Sequence, residues 1–255
     1  MEKIAIISDI HGNLPALEAV LADIRHRGIS RIVCLGDLVG KGPDSAAVVD
    51  LLRATCETVV QGNWDLGITL PQDKPAGLWQ QQQLGAERLR YLQELPFSVE
   101  FCLSGKRFRL FHASAVSVYH RVKRKSPKKE RLAMFHNTEM TGDGPLPDIV
   151  GYGDIHIPYL LTMKNPSEDQ APAKSHEGLM LFNVGSVGVP YDGIPQASYC
   201  IVEGVSDSAM PPAGFSIQFV RVPYNIERAV QLAFDAKMPD RERYELEIRT
   251  AIVHK

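Results

Sequence analysis

Ser8-Asp9-Ile10-His11-Gly12-Asn13 follows directly on the apolar run Ile4-Ala5-Ile6-Ile7. A strand that is apolar at every position reads as buried on both faces, and a carboxylate and an imidazole two residues apart at its end point into one cleft where the backbone leaves the sheet. That geometry suits a metal ion. Alone the signal is weak, because Asp-x-His arises often by chance and either residue also serves as a cap for the helix predicted from Leu14. Its weight depends on whether later strand ends repeat the chemistry.

They do. A strand over 3–8 and an amphipathic helix over 14–27, with Leu17, Val20, Leu21 and Ile24 on one face and Gly28 as the stop, form the first half of a βαβ unit. The next strand, 31–35, ends in Gly36-Asp37-Leu38-Val39-Gly40-Lys41-Gly42-Pro43. A short helix over 46–53 leads to a strand at 58–60 that ends in Gly62-Asn63-Trp64-Asp65. A loop with Pro71 and Pro75 then precedes a glutamine-rich helix over 78–92 that Pro96 closes. From Phe97 the pattern turns to strands: 97–103 and 108–111 form a hairpin whose return strand ends in His112, and 149–153 leads to Asp154-Ile155-His156. A second hairpin is expected at 159–163 and 179–182, across a mobile loop over 165–178. Strands at 198–202 and 215–221 and a helical stretch over 225–252, broken at Pro239, complete the chain.

Composition excludes several classes. At 255 residues and 44% hydrophobic content the chain is expected to be one domain, and a net charge of -2 with 28 basic and 30 acidic residues gives no global attraction for membranes or stable nucleic-acid binding. The N-terminus lacks the pattern of a signal peptide, and no apolar run is long enough to span a bilayer. Four scattered cysteines, Cys34, Cys56, Cys102 and Cys200, read as buried free thiols in a reducing cytoplasm. The glycines at 12, 36, 40 and 42 fit neither a Walker pattern nor a dinucleotide fingerprint, and tight turns explain them better.

Collected, the polar strand-end residues are Asp9, His11, Asp37, Asn63, His112, Asp154 and His156. Carboxylates, imidazoles and an amide in this number suit two divalent cations about 3.5–4 Å apart. In order and spacing, Asp9-Ile10-His11, Gly36-Asp37, Gly62-Asn63, His112 and Gly153-Asp154-Ile155-His156, followed by Gly185-Ser186-Val187-Gly188 and Asp192-Gly193, resemble the motifs of the calcineurin-like metallophosphoesterases, in particular their small bacterial and archaeal YfcE-like members. The resemblance covers nearly the whole chain. It implies an α/β fold, a four-layer αββα sandwich of two mixed sheets flanked by helices, with a dimetal site on the sheet edge.

It further implies that Asp9, His11, Asp37 and His156 hold the first metal and that Asp37, Asn63, His112 and Asp154 hold the second, with Asp37 as the bridge. Asp37, Asn63 and His112 then belong to the catalytic machinery, in which a metal-bound hydroxide attacks phosphorus. Asn13 and Trp64 would touch the substrate. Two departures stand out. The family usually has His where this chain has Asp154, so either a harder oxygen ligand favours Mn²⁺, Fe or Mg²⁺ over Zn²⁺ or Ni²⁺, or the second site is weak or empty. Many relatives have a His where this chain has Trp64, whose indole N–H donates a hydrogen bond but supplies no catalytic proton. Leaving groups that need little protonation, such as a nucleotide phosphate with a pKa of about 6, then fit best. A packing role for Trp64 on the pocket wall is compatible with this.

The stretch over 119–139 carries Arg121, Lys123, Arg124, Lys125, Lys128, Lys129 and Arg131. It reads either as a solvated face or, as a basic insertion over about 117–140, as a cap binding a polyphosphate chain. His120 or His136 at its flanks could replace the missing acid. The leading expectation is a phosphoesterase acting on a small phosphorylated substrate, with a dinucleoside polyphosphate as the candidate. A phosphodiesterase or phosphoprotein phosphatase on the same metals, or a non-catalytic binding scaffold with a decayed site, are the alternatives. The oligomeric state is left open.

Overall fold

The computed structural model describes residues 1–164, 178–206 and 213–254. Two five-stranded mixed sheets carry the fold. The first has the order β10-β9-β1-β2-β3, built from β1 (Glu2–Ile7), β2 (Arg31–Cys34), β3 (Thr58–Val59), β9 (Ala197–Gly204) and β10 (Ser216–Val222). The second has the order β4-β5-β6-β8-β7, from β4 (Ser98–Leu103), β5 (Lys106–Phe111), β6 (Ile149–Tyr152), β7 (Tyr159–Met163) and β8 (Leu179–Asn183).

Alternation along each strand divides the core. Ile4 and Ile6 of β1 with Val33 of β2 meet Phe108, Leu110, Ile149 and Phe182 of the second sheet. Ala5 and Ile7, on the opposite face, pack on Leu17, Val20, Leu21 and Ile24 of α1 (Leu14–His26) and Val48, Val49 and Leu52 of α2 (Ser45–Thr55). β1, β2 and β3 are mutually parallel, as are β5, β6 and β8, so each sheet delivers its loops to one edge. Hydrogen bonds from the His112 ring to Leu35 O and from Val187 N to Ser8 O tie the two edges together.

Several elements differ from expectation. The proline-containing loop before the glutamine-rich helix begins with a helix of its own, α3 (Asn63–Thr69), because Asp65 at its third position accepts the N–H of the preceding Gly62. The glutamine-rich helix, α4 (Pro75–Gln93), starts earlier, with Pro75 in its first turn, and is interrupted at Gly85, whose φ of 68° is left-handed. The helical stretch at the end is two helices, α6 (Ile226–Asp235) and α7 (Arg241–Thr250), separated around Pro239 as expected. The loop over 165–178 lies outside the described residues, Gly178 excepted.

The basic stretch supplies most of the outer cover of the second sheet. It holds one short helix, α5 (Lys128–Ala133), and buries Val122, Met134 and Phe135 against Val150, Tyr152 and Leu181. Its cations decorate an apolar layer. All four cysteines are free, and burial raises the Cys34 and Cys200 thiols and pushes Cys56 up to about 12. Among the described residues no helix is long and apolar enough to cross a membrane.

Candidate metal centre

Five of the expected ligands sit in left-handed backbone: Asp9 (φ 55°), His11 (49°), Asp37 (54°), Asp154 (63°) and His156 (57°). A non-glycine residue in this region costs about 1–3 kcal/mol, and such residues collect where surrounding structure holds a site in shape. The chain turns sharply at each strand end, so that side chains from β1, β2 and β6 converge rather than alternate. The holding structure is visible. Asp9 N donates to Gly36 O, and His11 N and Ile10 N both donate to Asp37 O. Gly62 is glycine because an added Cβ would strike the Asp37 carboxylate.

Three imidazoles share one arrangement. Nδ1 of His11 lies 3.0 Å from Val39 O, Nδ1 of His112 2.8 Å from Leu35 O, and Nδ1 of His156 2.6 Å from Val189 O. A carbonyl oxygen only accepts, so each Nδ1 carries a proton, and each ring turns its Nε2 inward. Nε2 of His11 and of His156 face each other at 3.3 Å. Around them lie Asp9 Oδ1, 3.3 Å from His156 Nε2, and the two oxygens of Asp37, 3.5 Å from His11 Nε2 and 3.4 Å from His112 Nε2. Asn63 Oδ1 approaches His112 Nε2 at 2.9 Å.

Electrostatics follow from this crowding. Burial opposes charge on Asp9, but the imidazoles of His156, His112 and His11 outweigh it and hold the carboxyl well below its usual range. Burial, with His156 and Lys41 nearby, drives His11 well below the ordinary imidazole value. For His112 the carboxylates of Asp37, Asp9 and Asp154 overcome burial and push it up to about 10. Burial raises Asp37 despite the His112 contact.

The residues fit a metal. Asp9, His11 and His156 form one donor group and Asp9, Asp37 and His112 a second, each with atoms within 4.8 Å of one another. Asp9 Oδ1 is fully buried and has no hydrogen-bond partner, and the Nε2 atoms of His11 and His156 face each other beside it, so a cation satisfies what the protein alone leaves unmet. Asp9 is common to both groups, whereas Asp37 turns one oxygen to each side.

Other expected residues are placed differently. Asp154 stands outside both groups. Its carboxylate is gripped by Arg121, with Nε to Oδ2 at 2.8 Å and Nη2 to Oδ1 at 2.6 Å, while its own N–H donates to Asp9 Oδ2. Arg121 therefore reaches the cleft. Lys123 and Arg124 are exposed and are engaged through their backbones with Ser126 and Arg131. Asn13 is buried and committed: Oδ1 caps α1 at Ala16 N, and Nδ2 donates to Gly188 O and Tyr224 Oη. Trp64 N donates to Asp37 Oδ1 at 2.8 Å, and its indole, 41% exposed, meets the His11 ring edge-on at 5.5 Å between centroids. His120 is held against Ser114 Oγ, and His136 lends its carbonyl to Arg109.

Two supporting features escaped the sequence reading. The Asp65 carboxylate accepts N–H groups from Asp37 at 2.7 Å, Leu38 at 2.9 Å and Gly62 at 3.0 Å, and so fixes the turn that presents Asp37. Its position three residues after Gly62 is the one signal that pointed to it. Tyr191 stacks on His156 at 4.6 Å, and its hydroxyl joins Lys41 and Glu247, a cluster assembled from distant parts of the chain.

Residues 2–207 match the calcineurin-like phosphoesterase superfamily domain. An uncharacterized protein of Methanocaldococcus jannaschii, MJ0912, is 34% identical over 260 positions, covering 93% of this chain and 94% of that one. The phosphodiesterase YfcE of Escherichia coli is 28% identical over 210 positions, covering 80% and 88%. Among solved structures, a metallophosphoesterase from Sphaerobacter thermophilus superposes with a TM-score of 0.74 at 28% identity, over 98% of this chain and 100% of that one. The hypothetical protein PH1004 of Pyrococcus horikoshii shares the fold, with a TM-score of 0.72 at 17% identity over 100% of both chains. YfcE is thus a relative that this chain resembles, and the chain itself belongs to the calcineurin-like phosphoesterase superfamily.

Proposed function

We propose that this chain is a dinuclear metal-dependent hydrolase of phosphodiesters or phosphoanhydrides, with a nucleotide such as a dinucleoside polyphosphate as substrate. The observation that carries the metal reading is the convergence of three Nδ1-anchored imidazoles, His11, His112 and His156, on the carboxylates of Asp9 and Asp37. Asp9, His11 and His156 would hold one ion and Asp37, His112 and Asn63 the other, with Asp9 within reach of both donor groups. Imidazole nitrogens suit Fe, Zn²⁺ or Ni²⁺ and carboxylate or amide oxygens suit Mn²⁺ or Mg²⁺, so the mixed set accommodates each of these ions, and Mn²⁺ or Fe is the proposed pair. When bound, such ions neutralise phosphoryl oxygens and lower the pKa of water to about 7.

The chain's own residues do the rest. The Nδ1 anchors fix ring orientation, so no imidazole must reorganise on binding. Arg121, held bidentate by Asp154 and 53% exposed, keeps further N–H donors for a substrate phosphate. Asp154 acts here as the anchor of Arg121. Trp64 stands beside His11 with no proton to give, which supports a leaving group that departs as a stable anion, such as a nucleotide phosphate.

The test is product analysis after incubating metal-loaded protein with dinucleoside polyphosphates, cyclic nucleotides and aryl diesters. Turnover of the polyphosphates is expected. Turnover confined to the cyclic or aryl diesters would remove the polyphosphate reading and leave a phosphodiesterase.

A further inference from the structure

Beside the metal cluster lies a cavity of about 430 Å³, and it shares Asn63, Trp64 and Gly40 with the cluster's surroundings. The size is that of a small-molecule site. Its walls come from four places: the loop after β2, α3, the first turns of α4, and the junction of α6 with α7. The last contributes Met238, Pro239, Asp240, Arg243, Tyr244 and Glu247, all beyond the residues 2–207 that match the family domain.

We propose that this cavity binds the planar aromatic portion of the substrate, a nucleobase or an aryl group, while the phosphate sits at the metal cluster. Two indoles face the space, Trp64 and Trp79. Trp64 touches both regions: its ring meets His11 at 5.5 Å, and Lys41 Nζ lies 5.6 Å from its centroid. Gly40 is what lets the indole lie there, since an added Cβ would overlap its six-membered ring. Lining charges are Lys41, Lys74 and Arg243 against Asp240 and Glu247, a net of +1 that tolerates a phosphorylated ligand.

The rigid side of the cavity is also explained. Lys41 has 15% of its side chain exposed and is spent on Glu247 Oε2 at 3.1 Å and Tyr191 Oη at 2.7 Å, and Arg243 Nε braces Glu247 at 3.2 Å. Glu247 thus holds both cations in place. What remains for a ligand is aromatic surface, and an aromatic face stacks on a planar base with little regard to its sequence or substituents.

The inference rests on the phosphoesterase reading only for the direction in which the ligand lies. Methylphosphonate, phenylphosphonate and adenosine 5′-monophosphate share a charged head and differ in the organic part. Their affinities for the Mn²⁺-loaded full chain are measured by calorimetry. We expect phenylphosphonate or the nucleotide to bind about tenfold more tightly than methylphosphonate, as stacking of one ring provides. Which of the two gains tells an aryl group from a nucleobase. Ala76→Phe, which fills the cavity, and Trp79→Ala, which removes a wall, should each bring that ratio towards one. Equal affinities in the wild type, or a ratio that survives both substitutions, would overturn the proposal. Binding of methylphosphonate together with hydrolysis of an aryl diester reports on the metal cluster separately, so the cavity can fail while the phosphoesterase reading stands. Absence of binding by all three ligands overturns both.

Discussion

Nε2 of His11 and Nε2 of His156 stand 3.3 Å apart, each on a ring whose Nδ1–H is already given to a backbone carbonyl, Val39 O and Val189 O. Two acceptors at this distance repel unless something positive lies between them. The same holds for Asn63 Oδ1 and His112 Nε2 at 2.9 Å, where a proton on the imidazole serves in the cation-free chain and a shared ion serves when loaded. Positive charge between these atoms is therefore favoured, and binding cations should stabilise the fold.

Adding Mn²⁺ to chelator-treated protein should raise the melting temperature, by linkage of about 2.7 kcal/mol at a hundredfold excess over Kd. Asp37→Ala removes the carboxylate that faces both His11 and His112, so it should lose hydrolysis and at least one bound ion per chain. Metal content by elemental analysis and thermal scans with and without Mn²⁺ check both. Undiminished turnover by Asp37→Ala would contradict the shared-carboxylate arrangement.

Arg121 and Asp154 offer a cleaner division of labour. Arg121→Ala should raise KM about tenfold or more, the cost of one charge-assisted phosphate contact, with the metal content unchanged. Asp154→Asn should follow in the same direction, because its amide no longer orients the guanidinium. Loss of one ion in Asp154→Asn, with Arg121→Ala leaving both ions in place, would instead make Asp154 a ligand.

Most of the frame was legible because parallel strands buried on both faces are unmistakable runs, and each run ends in a polar cluster. Ile4 to Ile7 into Asp9 and His11 is the clearest case. The α3 helix was not legible: Asn63 to Thr69 is too short for periodicity, and what starts it is the Asp65 carboxylate bonding to Gly62, Asp37 and Leu38. Asn13 illustrates the opposite difficulty, since an amide in a glycine-rich turn looks the same in sequence whether it caps a helix or meets a ligand. Asp154 and Arg121 are 33 positions apart, and only the packing of the basic stretch on the second sheet brings them together.

Asp65→Asn should test how far the turn under Asp37 depends on an anion. Burial and the neighbouring Asp37 carboxylate raise Asp65, up to about 7, against three N–H donors that favour its charged form. The amide keeps one acceptor oxygen and turns an NH₂ towards an N–H, leaving a donor unmet at a cost of about 1–3 kcal/mol. Urea unfolding should show this loss, and metal affinity should fall with it because Asp37 is no longer held in place.

Glu247, bonded to Lys41 and Tyr191 beside the cluster, gives a pH signature of its own. Burial works to raise its carboxyl, but Lys41, the Tyr191 hydroxyl and Arg243 outweigh burial and leave it below its ordinary 4.5. A carboxyl lowered by folding contributes stability that is fully present above 4.5 and is lost as pH falls through the folded value. Glu247→Gln leaves Lys41 buried without its counter-charge, which costs about 3–5 kcal/mol when such a pair is fully buried and less here, where Lys41 keeps some exposure. The difference in unfolding free energy between wild type and Glu247→Gln should therefore be fully present near neutral pH and shrink as pH falls below 4.5. A difference that stays constant from neutral to acid pH would show that Glu247 acts through packing rather than charge.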